Sequence, residues 1–141
     1  MLRLNAAFAL VLALFCATAQ AQATTWFNIV GDPANPDVNT IEVDPVPVTA
    51  NGDLRVLRVR VSRSLTRTSW DAVSYRSYTS EVMFDCNAKS ARYLAITYYR
   101  QPGWQGTPHK TSLYDQGEPR LMQFRDVSPN PNARIIRAAC V

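Results

Sequence analysis

The sequence predicts an α+β fold: a single, mainly antiparallel β-sheet of about six strands, with a short C-terminal helix packed on one face and disulfide-linked to it. Three observations point there. Short runs rich in β-branched and aromatic residues recur along the chain, separated by clusters of Gly, Pro, Asn and Asp. Only the C-terminal end carries a helical pattern. Beyond the N-terminal leader the cysteines are Cys86, in a strand, and Cys140, in that helix.

Residues 1–21 read as an export signal peptide that is removed, leaving residues 22–141 as one domain. Arg3 precedes the apolar run AAFALVLALF, and the small-x-small AQA follows it. The run is about ten residues, half the roughly twenty that a bilayer-spanning helix needs, so no transmembrane segment is expected after its removal. Cleavage after Ala23 fits as well, and lipidation of Cys16 is disfavoured because the bulky Phe15 stands where a small residue is required. Removing Arg3 from a formal charge of +4 leaves +3, too mild and too dispersed to argue for nucleic acid. The basic residues are thirteen arginines against two lysines, and arginine's planar fork suits carboxylate, phosphate and aromatic partners. Export implies an oxidising compartment, where Cys86 is expected to pair with Cys140; two buried free thiols are the alternative.

The elements follow in order. TWFNIV, residues 25–30, is a strand stopped by GDPANPD, and NTIEV, residues 39–43, is a second one ended by the prolines of DPVPV. Asn51 and Gly52 tolerate positive φ and mark a tight turn into LRVLRVRVSR, residues 54–63. There Leu57, Val59 and Val61 alternate with Arg58, Arg60 and Ser62, the period of a half-buried strand, while LRVL breaks the parity and predicts a bulge near Val56. Residues 73–86 read as the longest strand and residues 92–100 as its partner. An odd, five-residue loop over residues 87–91 would set Phe84 opposite Leu94 and Val82 opposite Ile96, keeping both apolar sets on one face. KTSLYD, residues 110–115, is a weaker sixth strand.

In SPNPNARIIRAAC, Asn130 is the expected N-cap and Pro131 the first helical residue. Ala133, Ile136 and Cys140 then share a face, with Arg134 and Arg137 on another. A helix of roughly nine residues is marginal alone and needs a surface to pack on. Bonding Cys86 to Cys140 would clamp it to the sheet, closing a loop of about 55 residues and stabilising the fold by about 4 kcal/mol. The thiols are therefore structural, with no electropositive setting or adjacent base to suggest a nucleophile.

No reaction centre emerges. His109 is the sole histidine and lacks metal-ligand spacing, so no metal or cofactor is expected. No GxSxG, Gly-rich phosphate loop or dinucleotide fingerprint occurs. Glu42, Asp44, Glu81 and Asp85 could supply a carboxylate pair, but Glu81 and Asp85 are more simply the solvent face of a strand. Two features are candidate binding elements: a cationic stripe of Arg58, Arg60 and Arg76 on the sheet face away from the helix, and Trp104 in a Gly/Pro-rich loop near Tyr98, Tyr99 and Tyr114. The plainer readings are a soluble face and a tryptophan folded back onto the body.

The W..IVG first strand, IEVDP, NGDLRV, YRSYTSEVMFDC, RYLAITYY with its arginine six residues past the cysteine, and the terminal ARIIRAAC together resemble the bacterial surface-adhesin protein E family over essentially the whole mature chain. The DPVPV insert and the QPGWQGTPHK loop are particular to this chain. The resemblance implies one antiparallel sheet with the helix on its concave side, joined by a disulfide. It also implies a non-catalytic protein of a Gram-negative envelope, in the periplasm or at the outer cell surface. Attachment to host matrix or envelope proteins, and in some members haem binding, are the activities it suggests, with no binding motif that transfers residue by residue. The function expected is thus an exported non-enzymatic binding module, with a periplasmic carrier of a small anionic or haem-like ligand as the alternative and a small hydrolase behind it. His109 or a tyrosine would be the carrier's haem ligand. An exposed strand edge would also permit a homodimer.

Overall fold

The computed structural model describes residues 25–114 and 118–141, so the proposed leader lies outside the described residues, as does Asp115 at the end of the sixth expected strand. One eight-stranded antiparallel sheet forms the body. Its central ribbon is β4 (Leu54–Thr68), β5 (Ser74–Asp85) and β6 (Ser90–Tyr99). On one side β2 (Thr40–Val43) and then β1 (Phe27–Val30) continue the sheet; on the other comes β7 (Lys110–Leu113). Two short strands raise the count above the six expected: β3 (Thr49–Asn51) pairs with β4, and β8 (Arg120–Leu121) pairs with β6. Such short pieces are too brief to show a period-two pattern.

Alternation along β4 sets which face is covered. Leu57, Val59 and Val61 point into the core beside Ile41 and Val43 of β2 and Tyr78, Val82 and Phe84 of β5. β4, not β5, is the longest strand. The bulge expected near Val56 is absent: β4 and β5 stay in register from Leu54 to Ser62, and the irregularity falls between Ser62 and Arg67. Val56 instead turns to the other face, flanked by Thr49 and Met83. The Asn-Gly turn forms one residue on, with Asn51 paired to Leu54 and Gly52, at φ 58°, at the corner.

The hairpin of β5 and β6 corrects the loop expectation. Asp85 pairs with Ser90, so the loop is even, residues 86–89, and Phe84 faces Ala91 while Val82 faces Tyr93. A bulge restores the parity: the register shifts at Glu81 and Val82, leaving Leu94 as the extra residue, and beyond it Ile96 and Tyr98 return to the core. Between β1 and β2, Gly31 holds φ 75° with Asn39 O where a Cβ would stand, at 2.0 Å, so no side chain fits there.

α1 (Asn132–Ala139) closes the covered face. The helix starts one residue later than expected: Pro131, whose carbonyl accepts from Ile135 N, is the N-cap and gives no side-chain cap bond. Asn130 stands just ahead of it, with Oδ1 accepting the Asn132 N–H at 2.9 Å. The helix is rotated from the expected stripe. Ile135, Ile136 and Ala139 are buried and Ala133 is exposed, because this turn puts both isoleucines under cover at once. Cys140, just past the helix, bonds Cys86 across a Cα separation of 5.6 Å. Arg55 donates to the Ala139 carbonyl, an acceptor at the helix end that has no intrahelical partner, and to a main-chain oxygen of Val141 beyond it.

At the other end of the covered face the core turns aromatic. Tyr75, Tyr78, Tyr93 and Tyr98 are buried with ring centroids 5.1–6.1 Å apart, and the Tyr78 and Tyr93 hydroxyls bond at 2.7 Å. Met122, Phe124 and Val127, from the segment leading to α1, join this core. Arg63 enters it stretched beside the Phe124 ring and is neutralised by Asp126 at 3.0 Å, which also holds Arg67 at 2.9 Å.

Candidate functional site

The face away from α1 carries the candidate contact residues, and the sheet register assembles them. β2 sets Glu42 directly opposite Arg60 of β4. Arg60 Nε donates to Glu42 Oε2 at 2.6 Å, and the Glu42 carboxylate is almost wholly buried, at 4% exposure, against 23% for the arginine. Both flat faces of the guanidinium are covered: its carbon lies 4.2 Å from the Trp26 ring centroid and 4.0 Å from that of Trp104. An arginine held edge-on by a carboxylate and face-on by two indoles satisfies the charge, the donors and the π-surface together.

Trp104 reaches this position because its loop is pinned to the sheet. A short 3-10 turn, Pro102–Trp104, puts two successive residues at positive φ, Gly103 at 63° and Trp104 at 59°. The buried, directly opposed serines Ser62 and Ser77 receive it. Ser62 Oγ accepts the Gly103 N–H at 2.9 Å, Ser77 Oγ accepts that of Trp104 at 3.0 Å, and the Ser77 hydroxyl donates to Gln101 O at 2.6 Å. The indole N–H is shared between the carbonyls of Val61, at 3.2 Å, and Tyr78, at 3.0 Å. Hydroxyls small enough to let a loop lie flat, and able to bond it, are what two facing serines supply.

Arg58 stands one turn of the pleat away, half exposed, with its Nη1 at 3.8 Å from the buried Asp44 carboxylate. Arg76 donates to the backbone carbonyls of Arg63 and Pro36, each at 3.1 Å, and so ties the loop between β1 and β2 to the irregular stretch of β4 between Ser62 and Arg67. Each of the three arginines therefore has acceptors within the fold, and Glu42 and Asp44 serve as their partners. The sequence reasoning missed Trp26 as the second face of the Arg60 stack. An aromatic residue just ahead of a strand that lies beyond β2 was the available signal, but the strand order that brings it there is long-range. His109 lies elsewhere, half buried, with Nε2 at 2.9 Å from the Ser74 carbonyl.

The disulfide partners expected, Cys86 and Cys140, are bonded, and neither is available as a nucleophile. Among the described residues no helix is long and apolar enough to cross a membrane. The family model described as surface-adhesin protein E matches residues 26–141, and the chain belongs to that family. Membership carries an adhesin-like function and an exported or cell-surface location. No curated protein and no solved structure matches the chain.

Proposed function

We propose that this surface-adhesin protein E family member is a non-enzymatic binding module, displayed at the outer surface, that meets a protein partner through the uncovered face of its sheet. The Trp26–Arg60–Trp104 stack carries the reading. Tryptophan and arginine contribute most at protein contacts, and here they are fixed before any partner arrives. A contact patch already ordered loses little side-chain entropy on binding. Arg58, half exposed beside the stack, supplies rim charge that steers an acidic partner surface. Arg76 shapes the neighbouring loop rather than offering an open guanidinium.

Protease treatment of intact cells tests the display. Digestion without lysis is expected; protection in whole cells followed by release with the soluble periplasm rules out adhesion as the main role. The face is tested on immobilised host matrix proteins with Trp104→Ala and Arg58→Ser. Trp104→Ala should weaken retention about tenfold or more, the effect of losing a hot-spot side chain, and Arg58→Ser should mainly slow association. Equal retention of both variants and the unaltered chain would remove this face as the contact surface.

A further inference from the structure

At the end of the sheet remote from the disulfide, where β4 and β6 finish and β5 and β7 begin, lies a cleft of about 660 Å³. Thr66, Ser74 and Tyr75 supply hydroxyl-bearing walls, and Arg100, His109 and Lys110 bring three basic side chains from β6's exit and the entry to β7. None of the described residues lining it is acidic. His109 is fixed as a wall: the Ser74 carbonyl only accepts, so Nε2 carries the proton and donates to it, at 2.9 Å.

Its charges are used differently from those of the paired arginines along β4. Arg58, Arg60, Arg63 and Arg67 each face a carboxylate. Arg100 and Lys110 are exposed, and among the described residues no carboxylate pairs with either. The carboxylate closest to the cleft along the chain, Asp71, is engaged by the Tyr114 hydroxyl. A concavity with unneutralised cations and hydroxyl donors, and no acidic lining, concentrates an anion and then bonds it.

We propose that this cleft is a binding site for a tetrahedral oxyanion, a sulfate or phosphate group, either as the free ion or carried as an ester on a sugar. Arg100 supplies a planar fork for two oxygens, Lys110 a point charge, and Thr66 and Ser74 hydroxyl donors. The site is separate from the tryptophan–arginine face and does not depend on that face's role.

Amide chemical shifts followed during titration test it, with inorganic sulfate, inorganic phosphate and glucose 6-phosphate as probes at constant ionic strength set with chloride. Saturable shifts centred on residues 72–75, 100 and 109–110 are expected. The double variant Arg100→Ala/Lys110→Ala should lose about tenfold or more in affinity, because it removes charge-assisted bonds. Arg125→Ala, an exposed cation outside the cleft, should leave affinity unchanged. Saturation by the inorganic ions as tightly as by the ester assigns a free-ion site, and tighter binding of the ester assigns a site for the carried group. Shifts that do not saturate, an unchanged affinity in the double variant, or an equal loss in Arg125→Ala would overturn the proposal.

Discussion

On the covered face of the sheet Ile41, Val43, Leu57, Val59 and Phe84 are all but removed from water, and α1 seals them with Ile135 and Ile136. One residue along the same strands, the uncovered face presents Glu42, Arg58 and Arg60, ordered by ion pairs and two indole rings. The first arrangement is redundant, since each apolar side chain shares its neighbours with several others. The second is one layer deep: among the described residues Arg60 has a single carboxylate partner, and that carboxylate is buried. Loss of one member should therefore propagate differently on the two sides. A core relaxes around a gap, whereas a buried charge without its partner has nothing to relax onto.

The largest effect belongs to the covered face. An eight-residue helix is too short to persist unaided, so its place depends on the Cys86–Cys140 bond as well as on its isoleucines. With the cysteines 54 positions apart, replacing both with serine should lower stability by about 4 kcal/mol, read as a shift in the urea midpoint. Because the Trp26–Arg60–Trp104 stack lies on the other side, tryptophan fluorescence of the folded variant should be unchanged when read in a Trp70→Phe background, which removes the one other indole, packed on Tyr93. A fluorescence change before unfolding would show that the two faces are not independent.

The next effect probes the uncovered face. Arg60→Ser strands the Glu42 carboxylate in a site exposed by only 4% and should cost about 3 kcal/mol. Glu42→Gln/Arg60→Gln removes both charges and should recover more than half of that loss in the same urea titration. If the double variant is no more stable than the single one, the cost arises from the cation–indole stack instead of the stranded charge. Trp104→Ala in each background separates the two contributions.

Much of this architecture can be read from the chain, and the failures have physical causes. The alternation of Leu57, Val59 and Val61 assigns the covered face because strand periodicity is local. The terminal helix is announced by Asn130 and Pro131, and the cysteine pairing follows from there being one thiol on each of two elements that must meet. The bulge at Leu94 carries no Gly or Pro to mark it, so an even loop and a later correction cannot be told from an odd loop by pattern alone. The helix rotation depends on the concavity it fills, which favoured Ile135 over Ala133. The arginines Arg58 and Arg60 are visible as a stripe, yet their neutralisation by Asp44 and Glu42 requires the register of β2 against β4. Trp26 and Trp104 are 78 positions apart and meet only because β1 and the 3-10 turn converge over the same arginine.

The smallest effect lies back on the covered face, at its aromatic end, and it carries a pH signature. Burial pushes the Tyr78 phenol well above its ordinary pKa, and the neighbouring Tyr93 pushes the same way. Burial likewise raises Tyr93, against the opposing pull of the hydrogen bond it shares with Tyr78. The folded state thus favours the neutral phenols, while in the unfolded chain tyrosine titrates near pH 10, about its ordinary value. The stability that neutral burial supplies is complete below about pH 10 and is lost as pH rises beyond it towards the folded values. Tyr78→Phe removes one hydroxyl and leaves that of Tyr93 without its partner, a loss of about 1.5 kcal/mol at neutral pH. It also removes one of the shifted groups, so the decline in urea midpoint between about pH 9 and 12 should be shallower than in the unaltered protein. Tyrosinate absorbance during the same titrations provides the check. If Tyr78 and Tyr93 ionise near pH 10, about the ordinary value, while the protein is still folded, the covered face is wet at this end and its difference from the uncovered face is one of degree.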